Sequence, residues 1–169
     1  MPAIITLGPS GDTIDLMDKA THAVREGVVR IEQERVRTVN IVATRNRSLL
    51  GSSHLGRLTI TLQLKLAGTS ADNLITNWRD VLDKLQKARR WTLDGLGTGP
   101  CELTYQWSGA TNGSTYEVLD GDFPPVPTQS ILSQNRIEDT TLTLYCQPLA
   151  RAAQVSQSVA ATNNQTTWT

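Results

Sequence analysis

Arg57-Leu58-Thr59-Ile60-Thr61-Leu62-Gln63-Leu64-Lys65-Leu66-Ala67 is the stretch on which the fold turns. Leu58, Ile60, Leu62, Leu64 and Leu66 alternate with Thr59, Thr61, Gln63 and Lys65. Successive side chains of an extended chain point to opposite faces, so a period of two sorts these residues into one buried and one wet face. Leucine is a modest strand former, and here pattern outranks propensity.

Just downstream the period changes. Gly68 and Thr69 end the strand, and Ser70 or Asp72 can accept from free backbone N–H groups to cap a helix. Leu74, Ile75, Trp78, Val81, Leu82, Leu85 and Ala88 then recur at steps of three and four, which predicts one amphipathic helix over about 71–92. Asp72 near its start and Lys84, Lys87, Arg89 and Arg90 toward its end suit the helix dipole. The glycines at 95, 97 and 99, with Pro100, stop it.

The rest reads as strands. Ile4–Leu7 and Thr13–Met17 flank the turn-rich Gly8-Pro9-Ser10-Gly11-Asp12. Val28 to about Thr44 is long, charged and extended. Glu102–Trp107 and Thr115–Leu119 flank a polar turn in which Asn112-Gly113 marks a hairpin. Asp120-Gly121-Asp122 has turn composition, and Pro124, Pro125 and Pro127 extend the chain across an edge. Thr140–Gln147 sets Leu142 and Leu144 against Thr141, Thr143 and Tyr145. The expected fold is therefore mainly β (α+β): an antiparallel β-sandwich or barrel of about six or seven strands with one flanking amphipathic helix.

Three stretches do not look like core. Arg30-Ile31-Glu32-Gln33-Glu34-Arg35-Val36-Arg37 has no consistently apolar face after Ile31. Such a strand projects as a ribbon, lies in a polar interface, or forms an edge protected by charge. Arg45–Gly56 has flexible composition between two strands, and loops of that length are usually functional or disordered. Residues 151–169 are rich in Ala, Gln, Ser, Thr and Asn and cannot bury a core of their own. They form either a disordered end or an arm that orders against a neighbour, with Trp168 as its anchor. This divides the chain into a domain over 1–150, with a projecting loop at about 45–56, and a polar tail over 151–169.

Composition narrows the function. Apolar residues make up 38% of 169, low for a compact domain, which leaves room for burial against partner subunits. Lys plus Arg number 16 and Asp plus Glu number 16, so bulk charge gives no pull toward nucleic acid or an anionic membrane. No apolar run reaches membrane-spanning length, and the first residues lack the make-up of a signal peptide. Cys101 and Cys146 read as reduced, small apolar strand residues.

Reactive constellations are missing from the pattern. His22 and His54 have no second ligand at metal-site spacing, Gly-x-Ser-x-Gly is absent, and Gly95-Leu96-Gly97-Thr98-Gly99 follows a helix where a phosphate cradle would precede one. The expectation is a protein that is not an enzyme and has no catalytic, cofactor or metal residues. The candidate functional residues are instead subunit-interface ones: Arg35, Arg37, Arg45, Arg47, Leu49, Leu50, His54, Leu55 and Trp168.

The order of elements resembles the tail-tube and distal-tail proteins of long-tailed bacteriophages. The resemblance lies in Ile14-Asp15-Leu16 after a Gly-Asp turn, the long extended stretch and its loop, and Leu58–Gly68 running straight into a helix. It continues in Cys101-Glu102-Leu103-Thr104-Tyr105, Tyr116–Gly121 and the closing Cys146-Gln147-Pro148. It implies a β-sandwich with a flanking helix, a virion location, and hexameric rings that stack on or cap the tube through which the genome passes. Hairpins and terminal arms would join subunits to one another and to other tail proteins, with DNA only as passing cargo and with no catalytic residue. The competing expectation is a carbohydrate- or cell-surface-binding β-sandwich. That reading calls for exposed aromatics on one concave face, from a chain with 4 Trp, 3 Tyr and 1 Phe.

Overall fold

The computed structural model describes residues 2–37, 43–44, 47–48, 53–124 and 136–149. Its strands are β1 (Pro2–Gly8), β2 (Ile14–Asp15), β3 (His22–Arg37), β4 (Ala43–Thr44), β5 (Arg47–Ser48), β6 (Ser53–Ala67), β7 (Cys101–Trp107), β8 (Ser114–Asp122) and β9 (Arg136–Cys146). The one helix among the described residues, α1, spans Ala71–Asp94. Seven strands form one antiparallel sheet in the order β2-β1-β7-β8-β9-β6-β3, while β4 and β5 pair separately. Of the two expected architectures, the barrel is the one adopted.

The sheet curls until its two ends meet at one point. Leu16, just past β2, donates its N–H to Ile5 O and accepts from Val24 N–H of β3, both at 2.8 Å. Beyond Val24 the register of β3 against β6 shifts, and the regular ladder resumes at Val29. The bulge turns β3 away from the closing contact, as bulges at barrel rims do. From there to Arg37 the outer edge of β3 has no strand beside it among the described residues.

The core lies on the concave face. Leu58, Ile60, Leu62, Leu64 and Leu66 are at most 4% exposed, and the first three pair in register with Cys146, Leu144 and Leu142 of β9. The α1 residues Leu74, Trp78, Val81, Leu85 and Ala88 complete this core, with Ile75 and Leu82 half-buried at its margin. At the close approach of helix and sheet sits Gly121, where a Cβ would lie 2.7 Å from Leu85 Cδ2 and 2.8 Å from Thr143 O. Trp78 packs on Phe123 with ring centroids 4.6 Å apart.

Several boundaries differ from the expectation. β3 starts at His22 rather than Val28, because His22 and Val24 are buried and pair with Leu66 and Leu64. Asp120-Gly121-Asp122 belongs to β8, since a register shift after Val118 keeps the strand paired with β9 to Asp122. The β7–β8 hairpin is present, but Gly109 takes the left-handed conformation (φ 85°), with Ala110 N–H on Trp107 O at 3.0 Å; Gly113 does not. Ser70 caps α1 through Asn73 N–H, and Gly95 ends it at φ 64°. Its last turn holds no basic residue, so Lys84, Lys87 and Arg89 serve partners other than the dipole. Trp91, near the end of α1, is half-buried.

Candidate functional site

Two polar networks clasp the barrel, and both are structural. In the first, His22 Nε2–H donates to Asn77 O at 2.7 Å and Asn77 Nδ2–H donates to Ala67 O at 2.6 Å, so a buried pair joins the start of β3 to α1 and the end of β6. In the second, Asp12 of the Gly8–Asp12 turn accepts from Lys84, whose side chain is buried, and from Lys87 at 2.5 Å. Asp83 adds a second acceptor for Lys87 at 2.6 Å. The two ammonium groups hold the Asp12 carboxyl down at about 2, and Asp12 and Asp83 raise Lys87. A buried ammonium is tolerated only with such a partner. Two further contacts lie outside the core. Arg89 donates twice to Asp120 Oδ1, at 3.0 and 2.7 Å, and Arg57 lies 4.0 Å over the Tyr145 ring, whose hydroxyl donates to Asp122 at 2.6 Å.

No reactive group emerges from this. Cys101 and Cys146 are reduced and buried on either side of Val118, and burial pushes both thiols up to about 12. A thiol that far above neutrality is a packing group, since the thiolate is the nucleophile. Among the described residues, no cluster of three or more His, Cys, Asp or Glu is placed to hold a metal ion, and no helix is long and apolar enough to cross a membrane.

What the fold leaves unfinished is the β3–β6 end. β6 pairs with β9 only from Leu58 upward, so among the described residues Ser53–Arg57 have β3 alone as a neighbouring strand. Past Leu58 the two strands project as a ribbon. An extra residue on β6 between Leu55 and Leu58 bends it, and Gln33 Nε2–H pins the bend by donating to Gly56 O at 2.8 Å. Arg35 pairs in register with Leu55, Val36 with His54 and Arg37 with Ser53. Thus both sequence readings of Arg30–Arg37, edge strand and ribbon, hold in different parts of one strand.

The fold is similar to that of chains from phage baseplates. Over 85% of the chain it superposes on 43% of a chain of the phage p2 baseplate in its activated conformation with calcium, at a TM-score of 0.45 and 12% identity. The corresponding baseplate with strontium gives 83% and 43% coverage, a TM-score of 0.43 and 15% identity. The SPP1 Dit protein, described as a paradigm of the hub adsorption apparatus in phages infecting Gram-positive bacteria, gives 85% and 50%, 0.43 and 15%. The chain therefore spans half or less of the length of these structures. No family model matches it, and no curated protein sequence does.

The structure gathers only part of the sequence-derived site. Arg35, Arg37, His54 and Leu55 come together on the ribbon, with Arg35 and Leu55 exposed. The stretch expected as the loop Arg45–Gly56 is partly strand: Arg47 pairs with Thr44 in β4–β5, and residues 53–56 belong to β6. Arg45, Leu49, Leu50 and Trp168 lie outside the described residues. Sequence reasoning missed Ile31, which is 47% exposed on the β3 edge although its partner Ile60 is buried. The signal was present: Ile31 continues the apolar phase of β3, and only the edge position leaves it open. Trp107, at the end of β7, is 58% exposed and stands edge-on to Tyr105.

Proposed function

We propose that the protein is a structural subunit of a bacteriophage tail, of the tail-tube or distal-tail kind, whose copies assemble into a ring around the genome-delivery channel. The observation that carries this reading is the unfinished sheet: among the described residues the barrel closes through the Leu16–Val24 hydrogen bond, and no strand lies beside the outer edge of β3 from Val29 to Arg37. An open strand edge is a template for another chain, by the same backbone bonding that builds the sheet. The order of elements along residues 1–150, which resembles that family, supports it further.

In this reading residues 1–150 build the ring, hexameric as in the family, and the tail over 151–169 with Trp168 is an arm laid on a neighbour. The ribbon, with Arg35, Arg37, His54 and Leu55, and the adjoining Arg45, Arg47, Leu49 and Leu50 meet the next subunit or another tail protein. DNA passes without being bound by sequence, and the work requires no cofactor and no catalysis. The binding-module alternative calls for a cluster of exposed aromatics, and among the described aromatics only Trp107 is exposed. Trp78 and Phe123 pack on each other at the core, Tyr105 is buried, and Tyr145 lies under Arg57.

Mass measurement and negative-stain imaging of the purified full chain test this. Closed rings with a central opening are expected. Particles of one subunit at all accessible concentrations, or compact oligomers without an opening, would contradict it.

A further inference from the structure

The unpaired edge of β3 carries a charge order that selects its own partner. Two copies of one strand can pair antiparallel only with residues of equal parity opposite each other, because alternate residues direct their backbone groups outward. The pair is then centred on a single residue lying on a two-fold axis. Centring it on Arg30, Glu32, Glu34 or Arg35 sets that charge against its own copy. Centring it on Gln33 sets Glu32 against Glu34. Centring it on Ile31 sets Ile31 against Ile31 and each Arg30 against a Glu32. Like charges directly opposite destabilise a sheet, and opposite charges stabilise it.

The structure presents these residues as that register requires. The Arg30 and Glu32 side chains are 75% and 57% exposed and lie on one face of β3, where their charged ends meet at 2.5 Å. Ile31 lies on the other, concave face, beside the fully buried Ile60 yet 47% exposed. It is an apolar side chain in the phase of the core with no strand among the described residues to cover it. The extra residue of the ribbon bend is on β6, so β3 itself runs regularly from Val29 through this stretch.

We propose that β3 pairs antiparallel with β3 of a second copy, in the register centred on Ile31, so that the two sheets become one across a two-fold axis. The two Ile31 side chains cover each other on the concave face, and two Arg30–Glu32 pairs form across the seam on the other face. This contact deepens the assembly reading and rests on its premise that copies associate. It is isologous and joins subunits in pairs, so the head-to-tail contact that closes a ring falls to the ribbon, where Arg35, Arg37, His54 and Leu55 come together.

The test uses two full-length variants, Arg30→Glu and Glu32→Arg, studied alone and mixed in sedimentation velocity. Each alone sets like charges across the seam, and its two-fold association should weaken about tenfold relative to the unaltered chain, because two facing pairs are reversed. An equimolar mixture restores both facing pairs between unlike copies and should recover the lost affinity. It does not restore the Arg30–Glu32 contact within either strand, so recovery reports only the seam. Ile31→Lys, which places two cations on the axis, should abolish the contact while the circular dichroism spectrum is kept. If the unaltered chain associates but the mixture is no tighter than either variant alone, the register is wrong and the assembly reading stands. If the unaltered chain never associates, both fall.

Discussion

β6 is one strand with two lives. From Leu58 to Leu66 it is flanked by β9 and β3, its apolar face is covered by α1, and each leucine is almost wholly buried. From Ser53 to Arg57 it has, among the described residues, β3 alone beside it, and Leu55 is 42% exposed. The same backbone bonding holds both halves, yet only the first contributes a core. Stability comes from apolar area removed from water, so the two halves should respond to substitution on different scales.

The largest effect is expected at the centre of the covered half. Leu62→Ala removes a fully buried side chain facing Leu142 and should cost about 3 kcal/mol in urea unfolding. A loss under ~1 kcal/mol would mean that the barrel core is looser than its burial implies. Next is Gly121→Ala. The added methyl would press on Leu85 and on Thr143 O, and separating helix from sheet should cost about 2 kcal/mol by the same measurement.

Asp12→Asn comes third, at about 1 kcal/mol at neutral pH, because it leaves the buried Lys84 with only Asp83, 3.6 Å away, as a carboxylate partner. Its pH dependence is more telling. The folded Asp12 carboxyl titrates at about 2, below the ordinary 3.8, so its contribution is complete above about pH 4 and is lost as pH falls toward 2. An acid-unfolding series should show the variant lacking that part of the acid sensitivity. On the ribbon, Leu55→Ser should change stability by less than about 0.5 kcal/mol, a shift within a degree or two in a thermal melt. A larger loss would mean that the ribbon is packed into the monomer.

This contrast also marks what was legible in the sequence. The covered half of β6 announced itself because one buried and one wet face force a period of two. α1 did so because a single buried stripe forces steps of three and four. The ribbon could be seen only as an absence of pattern, and absence does not say where a strand ends. The early start of β3 was hidden because His22, a polar residue, is buried and satisfied by Asn77, a partner 55 positions along. Lys84 was read as a dipole partner for the same reason. Its carboxylate lies in a turn 72 residues earlier, and no local spacing encodes that meeting. The charge order Arg30-Ile31-Glu32 was plain in the sequence, but its meaning required knowing that the outer edge of β3 stands open.

Backbone amide exchange, followed by mass spectrometry at low and high protein concentration, tests the central claim most directly. Amides of β6 and β9 between Leu58 and Leu66 and between Thr140 and Cys146 should be protected at every concentration. Those of β3 between Val29 and Arg37 should exchange quickly in dilute solution, at alternate positions, and become protected as copies associate. Protection along β3 that is already complete in the dilute monomer, or that never changes with concentration, would contradict the account.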